Sequence, residues 1–156
     1  RSVHVVTNEF PQDLATALAA CDAAACASGT AVLETALFRT PVVAFYRASL
    51  ITELAARALA RVRTVSIPNI VYELDPRLAA LAATAGALPR AAARPGGDGS
   101  APMLMAGAEA ALPEVLFREC TPEALAHAVD PLLHNEEARR AHLRALAPAL
   151  EALETG

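Results

Sequence analysis

A chain of 156 residues fits a single folded domain, and its net charge of −4 without a basic run makes nucleic acid an unsuitable partner. Its apolar fraction of 54% excludes a disordered chain, but aromatic residues contribute only 4%, so the expected core consists of alanine, leucine and valine. No apolar stretch reaches the roughly 18 uninterrupted residues of a membrane-spanning helix, and the three cysteines form no CxxC pair, which predicts buried thiols and no disulfide framework.

Short apolar segments alternate with helical segments along the first half of the chain. The predicted elements, in order, are strand Val3–Val6, helix Pro11–Ala20, strand Ala23–Ala27, helix Ala31–Phe38, strand Pro41–Phe45, helix Leu50–Leu59 and strand Thr64–Ile67. Strands separated by helices of this length require right-handed crossovers within a parallel sheet. We therefore expect a Rossmann-like, doubly wound α/β domain whose ligand binds beyond the carboxyl ends of the strands.

The second half of the chain interrupts this alternation. Residues 71–104 include the glycine- and proline-rich stretch Gly86–Ser100, which predicts a surface insertion at 71–104 within the single domain. The predicted elements after it are a helix at Glu109–Phe117, a helix with Thr121 as N-cap and Pro122 at its first position, and an amphipathic helix at Glu136–Leu153.

The start of the chain is atypical of a mature N-terminus. It begins at Arg1 with no methionine, and Val3–Val6 already has the pattern of a core strand. We therefore expect no signal peptide, and we interpret the first residue as a cut inside a larger protein.

The turn Ser28-Gly29-Thr30 follows a predicted strand and opens a predicted helix. Gly29 has no Cβ to keep a ligand away from the backbone. The free N–H groups at the start of the helix and the helix dipole attract negative charge. The turn therefore predicts a diphosphate site. The alternative is a glycine that only closes a tight turn, which is common in doubly wound proteins.

Glu34 lies about one turn into the same helix and faces the same crevice. A capping box would place a glutamate three residues after the N-cap, whereas Glu34 is four residues after Thr30. Its carboxylate is therefore a candidate to accept both hydroxyls of a ribose. The alternative is a solvated carboxylate that gains about 0.3–1 kcal/mol from the helix start.

Polar residues also follow the next two predicted strands. Arg47, after Tyr46, could offset the charge of a departing diphosphate through bidentate contacts, or it could form only a surface ion pair. Ser66 and Asn69 lie at the end of the following strand, where the Asn69 amide could contact a sugar or phosphate and Pro68 would fix the loop. An asparagine in a proline-containing turn is also an ordinary structural choice.

Five segments, in the same order, resemble the lipid-A-disaccharide synthase family. They are Cys26–Leu37, Thr40–Val43, Tyr46-Arg47, Ser66–Ile70 and Glu119–Glu123. The resemblance covers most of Asp22–Leu133, and the predicted insertion has no counterpart in the family pattern. It implies the C-terminal half of a GT-B glycosyltransferase of inverting type, with residues 1–156 as a partial nucleotide-sugar-binding domain. The implied donor is UDP-2,3-diacylglucosamine and the implied acceptor is 2,3-diacylglucosamine 1-phosphate, which together give lipid A disaccharide and UDP.

The same resemblance assigns roles to individual residues. It places Ser28, Gly29 and Thr30 at the donor's diphosphate, and Glu34 at the position where related GT-B enzymes bind the ribose hydroxyls. The general base that accepts the proton of the attacking hydroxyl is implied on an N-terminal half that this chain does not contain.

A last segment, Ala106-Gly107-Ala108-Glu109, resembles a family segment that usually reads Ala-Gly-Arg-Glu. Gly107 and Glu109 match and are substrate-binding candidates. Ala108 replaces the arginine and removes a candidate phosphate contact.

Metal and cofactor chemistry is not expected. The sequence has no Asp-x-Asp pair for a metal-bound diphosphate. His127, His134 and His142 are seven and eight residues apart, a spacing that suits no helical metal pair. We therefore predict a metal-independent reaction without a cofactor.

Two alternatives remain open at this level. One is a noncatalytic Rossmann-like domain that binds a protein or nucleotide without turnover, which agrees with the missing arginine at Ala108. The other is a different UDP-sugar GT-B enzyme, such as one that acts on a peptidoglycan lipid precursor. The family default for location is the bacterial cytoplasm with peripheral contact at the inner membrane, and an organelle is the other option.

Overall fold

The structure, a computed structural model, describes residues 11–47, 64–75, 77–78, 80–81 and 111–155. Three predicted segments, Val3–Val6, Leu50–Leu59 and Gly86–Ser100, lie outside the described residues, as do the site candidates Gly107 and Glu109.

Within these ranges helices alternate with parallel strands. The elements are α1 (Pro11–Ala20), β1 (Ala24–Ala27), α2 (Thr30–Leu37), β2 (Val42–Tyr46), α3 (Ile67–Leu74), β3 (Glu114–Leu116), a 3-10 turn (Phe117–Glu119), α4 (Pro122–His134) and α5 (Glu136–Thr155). The strands pair in the order β1-β2-β3, with Ala24 opposite Val42 and Ala44 opposite Glu114. The predicted Rossmann-like α/β class is confirmed.

Helices cover both faces of the sheet because successive residues of β2 point to opposite sides. Val42 and Ala44 pack against α2, α3 and α5 in one apolar cluster. Val43 packs with Leu132 of α4 in a second cluster on the other face. Alanine, valine and leucine dominate both clusters, as the composition predicts.

Several local predictions are confirmed. Thr121 is the N-cap of α4, where its Oγ1 accepts the N–H of Ala124 at 3.2 Å. Pro122 occupies the first turn of that helix, where a missing N–H has no effect on the helical bonds. The three cysteines are free, but Cys21 is exposed and Cys26 and Cys120 are only half-buried, so the prediction of buried thiols is wrong.

The predicted strand Thr64–Ile67 is wrong. Ser66 is the N-cap of α3, which begins at Ile67. The backbone N–H groups of Val65 and Ser66 donate to the side chain of Glu114 at 3.1 and 2.9 Å, so they are not available to a neighbouring strand. The β-branched run has the composition of a strand, but a distant carboxylate determines its local structure.

The predicted helix Glu109–Phe117 is also wrong, because β3 occupies Glu114–Leu116. Pro113 has no N–H, and its carbonyl accepts the N–H of Ala44 at 3.0 Å, which starts the pairing with β2. Every residue of β3 is buried. A strand buried on both faces lacks the alternation of apolar and polar residues that would distinguish it from a helix.

The start of the predicted insertion at residues 71–104 needs correction. α3 continues to Leu74, Tyr72 is buried and Val71 packs against the first apolar cluster. The hydroxyl of Tyr72 donates to the carbonyl of Ala145 in α5. These two residues therefore belong to the core, and the rest of the insertion stays a prediction.

Candidate functional site

The carboxyl ends of β1 and β2 bring the first group of predicted site residues together. The N–H of Ser28, directly after β1, donates to the carbonyl of Phe45 in β2 at 2.8 Å. Tyr46 ends β2 and Arg47 follows it, so both lie at the same edge of the sheet as Ser28. This is the edge at which doubly wound folds bind ligands.

Gly29 is the N-cap of α2, one residue earlier than predicted. Its φ of 144° and ψ of −156° lie in a region that is essentially restricted to glycine. A Cβ built on Gly29 would meet no atom within 4 Å among the described residues. The backbone angle, and not a lack of room, therefore requires glycine here, and the space beside its Cα is open.

The start of α2 has N–H groups without an acceptor among the described residues. The first N–H groups of a helix have no intrahelical acceptor. Only that of Val32 is bonded within the described part of the chain, to the carbonyl of Gly29 at 3.2 Å. The N–H groups of Thr30 and Ala31 remain for a ligand, and the helix dipole favours a negative one. The arrangement suits a phosphate or diphosphate group.

Glu34 lies on the exposed side of α2. Counted from Gly29 it is the fifth helical residue, so it is outside the capping-box position. Thr30 and Glu34 are both exposed, and residues four apart share one side of a helix. Val32, Thr35 and Ala36 instead face the core. The carboxylate is therefore presented to solvent one turn beyond the helix start.

An aromatic pair stands at the carboxyl ends of β2 and β3. The rings of Tyr46 and Phe117 meet edge to face, with centroids 6.1 Å apart and planes at 88°. Phe117 has a φ of 56°, an uncommon backbone conformation for a bulky residue. Sequence reasoning missed Phe117, because it was assigned to a helix. Arg47 is exposed beside this pair.

Ser66 and Asn69 are buried inside the domain, where both form hydrogen bonds with the side chain of Glu114. The Glu114 Oε1 accepts from the N–H of Ser66 at 2.9 Å, from the hydroxyl of Ser66 and from Nδ2 of Asn69 at 2.8 Å. Oε2 accepts from the N–H of Val65 at 3.1 Å. Glu114, Ser66 and Asn69 are all buried. We call Glu114, Val65, Ser66 and Asn69 the Glu114 cluster.

Asn69 uses both ends of its amide within the protein. Besides Glu114, its Nδ2 donates to the carbonyl of Leu112 at 3.0 Å. Its Oδ1 accepts the N–H groups of Ala111 and Leu112 at 2.6 and 3.0 Å. An amide has two donors and two acceptor positions, so its capacity is filled. The substrate-binding roles of Ser66 and Asn69 stay predictions, and the structure gives both side chains internal partners.

One bond joins the Glu114 cluster to the turn Ser28-Gly29-Thr30, which we call the diphosphate turn after its predicted ligand. The hydroxyl of Ser28 donates to the carbonyl of Val65 at 2.8 Å. Glu114 was also missed by sequence reasoning. The available signal was a charged residue within the apolar segment Ala111–Leu116.

The described residues also form a cavity away from Gly29. A cavity of about 100 Å³ is lined by residues such as Ala36, Leu37, Leu146 and Leu150, at the end of α2 that is remote from Gly29. No group of three or more His, Cys, Asp or Glu side chains in the described ranges could hold a metal ion. None of the helices within them is long and apolar enough to cross a membrane.

Comparison with known proteins finds similar sequences in one family. A sequence profile of the family described as Lipid-A-disaccharide synthetase matches residues 2–77. The lipid-A-disaccharide synthase of Azotobacter vinelandii is 37% identical over 117 residues, which is 75% of this chain and 22% of that protein. Over these residues the chain is similar to the lipid-A-disaccharide synthase family.

Two further relatives bear the name lipid-A-disaccharide synthase. That of Sodalis glossinidius is 35% identical over 127 residues, 81% of this chain and 24% of the relative. That of Paramagnetospirillum magneticum is 32% identical over 142 residues, 90% of this chain and 27% of the relative. The chain thus spans about a quarter of the length of these curated relatives. No solved structure matches it.

The region matched by the lipid-A-disaccharide synthase profile contains most of the candidate residues. Residues 2–77 include the turn at Gly29, the carboxylate of Glu34, and the Ser66 and Asn69 side of the Glu114 cluster. Glu114 itself lies beyond the matched range.

Proposed function

We propose that this chain is the donor-binding part of a lipid-A-disaccharide synthase. The proposed reaction transfers 2,3-diacylglucosamine from UDP-2,3-diacylglucosamine to 2,3-diacylglucosamine 1-phosphate and releases UDP. The observation that carries the proposal is the turn at Gly29, where no described residue accepts the N–H groups of Thr30 and Ala31 at the carboxyl edge of a parallel sheet. The curated relatives share the name lipid-A-disaccharide synthase.

In this proposal the diphosphate of the donor binds the helix start. The N–H groups of Thr30 and Ala31 donate to its oxygens, with Ser28 and Gly29 shaping the turn. Glu34, exposed one turn further along α2, accepts the ribose hydroxyls. No metal is required, because the backbone and the helix dipole offset the charge.

The chemical step we propose is an inverting displacement. A hydroxyl of the acceptor attacks the anomeric carbon of the donor, the bond from that carbon to UDP breaks, and a general base takes the proton of the hydroxyl. We assign the base to an N-terminal half that supplies the acceptor site. Arg47, exposed after β2 beside Tyr46, stabilises the charge on the departing UDP. Gly107 and Glu109 are further donor contacts.

The acylated substrates suggest where the reaction occurs. We propose that the protein is cytoplasmic and makes peripheral contact with the inner membrane, because both donor and acceptor carry acyl chains that partition into a bilayer.

One sequence feature favours a second candidate function. Ala108 stands where the family pattern usually has arginine, so a domain that binds UDP without turnover is the alternative.

Product formation by the full-length protein distinguishes the two. We expect lipid A disaccharide and UDP by mass spectrometry when both substrates are supplied, and loss of product in a Gly29→Val variant. UDP binding without disaccharide would support the noncatalytic alternative. Absence of both would contradict the proposed function.

A further inference from the structure

Glu114 is a charged side chain in an otherwise apolar strand. It is fully buried, and no arginine or histidine among the described residues forms an ion pair with it. Removal of a carboxylate from water is unfavourable unless hydrogen bonds replace the lost hydration. Here the N–H groups of Val65 and Ser66, the hydroxyl of Ser66 and the amide of Asn69 replace it.

The carboxylate also determines how α3 begins. Ser66 is the N-cap of α3, but its hydroxyl does not accept a helical N–H. It donates instead to Glu114. The carboxylate therefore lies at the amino end of α3, where the helix dipole favours negative charge. The backbone N–H groups of residues 65 and 66 therefore bond to a side chain of β3, which is distant in sequence.

This contact continues to the diphosphate turn. Val65 donates its backbone N–H to Glu114, and its backbone carbonyl accepts the hydroxyl of Ser28 at 2.8 Å. The N–H of Ser28 is bonded to Phe45 at 2.8 Å. Ser28 is thus fixed on two sides immediately before Gly29, the residue whose unusual φ opens α2.

We propose that Glu114 is a positioning residue for the diphosphate turn. It acts through Val65 and the Ser28 hydroxyl, without touching the ligand, and holds Gly29 and the first N–H groups of α2 in the geometry that binds phosphate. The identity of the ligand as UDP rests on the proposed function, whereas the coupling between Glu114 and the turn does not.

The test uses the full-length protein with Glu114→Gln, Ser28→Ala, the double variant, and Leu132→Ala as a control. The Gln side chain has the same shape as Glu, but an NH2 group replaces one carboxylate oxygen. This group cannot accept the hydrogen bonds that the oxygen accepts. Leu132 is buried on the opposite face of the sheet. Its truncation lowers stability without touching the Glu114 cluster. Variants are compared at a temperature where all are folded.

The first measurement is hydrogen exchange at the Ser28 amide without ligand. We expect the Ser28 amide to exchange about tenfold faster in Glu114→Gln than in wild type, because a weakened charge-assisted hydrogen bond protects the turn less. In Leu132→Ala we expect the exchange rate of this amide to be unchanged. Equal exchange in Glu114→Gln and wild type would overturn the proposal. Should Glu114→Gln fail to fold, Ser66→Ala removes one donor to the carboxylate, and the same comparison applies to it.

The second measurement is UDP affinity. We expect Glu114→Gln to weaken it about tenfold and the double variant to bind like Ser28→Ala alone, because residues on one path are not additive. If the losses of UDP affinity in the two single variants add up in the double variant, Glu114 does not act through Ser28, and the proposal is overturned. If the wild type does not bind UDP, the proposed function fails, and the exchange result still decides whether Glu114 positions the turn.

Discussion

The N–H of Val42, at the start of β2, donates to Nε2 of His142 in α5 at 3.2 Å, across 100 residues of sequence. Val42 N–H points to the β3 side, as does that of Ala44, which donates to the carbonyl of Pro113. The pairing of β2 with β3 starts at Ala44 opposite Glu114, so β3 has no carbonyl opposite Val42, and the imidazole of His142 accepts this N–H instead. An Nε2 acceptor requires a neutral ring with its proton on Nδ1.

Burial lowers the pKa of His142 from 6.5 to about 4, which predicts acid sensitivity. The unfolded state binds the proton first, so the neutral ring contributes stability above pH 6.5, and this stability is lost as the pH falls towards 4. The full loss is about 3 kcal/mol at about 1.4 kcal/mol per pKa unit. Urea unfolding at pH 7 and pH 4.5 measures it.

The matched variants are His142→Leu and His127→Asn, the latter at an exposed position. His142→Leu should lose about 1–3 kcal/mol at pH 7, because Val42 is left without an acceptor, and should show a reduced dependence on pH. If the free energy of unfolding of His142→Leu depends on pH as strongly as that of wild type, a group other than His142 titrates.

Tyr72 predicts a loss of stability at alkaline pH. Burial, with a smaller contribution from Glu151, raises its pKa from 10 to about 12. A raised folded-state pKa contributes stability that is present below pH 10 and is lost as the pH rises towards 12. Tyr72→Phe should remove this loss and lower stability at pH 7 by about 0.5–1.5 kcal/mol, because the bond to the Ala145 carbonyl disappears. Tyr46→Phe, at an exposed ring, is the control. An identical alkaline profile in both variants would contradict this assignment.

Gly29→Ala should weaken the turn through its backbone. A side chain disfavours the φ of 144° although space for it exists, so stability should fall by about 1–2 kcal/mol, and calorimetric titration should show weaker UDP binding. Thr30→Ala keeps the backbone N–H and should bind UDP nearly as well as wild type. A large loss in Thr30→Ala would show that its hydroxyl, and not the helix start, holds the ligand. Wild-type binding should persist with a chelator.

Glu34→Gln should weaken UDP binding more than it lowers the melting temperature. A charge-assisted hydrogen bond contributes roughly 1.5–3 kcal/mol, about a ten-fold to hundred-fold change in affinity. A carboxylate that only interacts with the helix dipole contributes about 0.3–1 kcal/mol to stability. Glu137→Gln, an exposed residue in the first turn of α5, is the matched dipole control.

A modified ligand sharpens the Glu34 test. Wild type should bind 2′-deoxy-UDP more weakly than UDP, and Glu34→Gln should discriminate less between the two. A variant that binds UDP normally but melts lower would contradict the ribose assignment.

Excision of Gly86–Ser100 should leave the melting temperature nearly unchanged, because a glycine- and proline-rich stretch offers little apolar surface to offset the entropy of ordering it. The control deletes Val71 and Tyr72, which pack in the core, and should abolish folding. Collapse of the excision variant would show that the stretch contains a core element.

Local patterns predicted α1, β1, α2, β2, α4 and α5, because apolar periodicity and N-cap chemistry are encoded by neighbouring residues. The turn at Ser28–Thr30 was predicted in the same way. β3 and α3 were missed, because Glu114 contacts Ser66 across 48 residues, and a bond between residues so far apart leaves no local sequence pattern. The internal partners of Asn69 were not predicted for the same reason, because they are also distant in sequence.

The last helix of the chain supplies much of the first core. Leu146 and Ala149 of α5 pack with Val32 and Ala36 of α2, and His142 completes the hydrogen bonding of β2. A ribosome synthesises α5 after the residues it covers. The apolar face of α2 and the sheet therefore stays without its α5 contacts in the nascent polypeptide until α5 has left the exit tunnel, and exposed apolar surface of this kind favours aggregation during that interval.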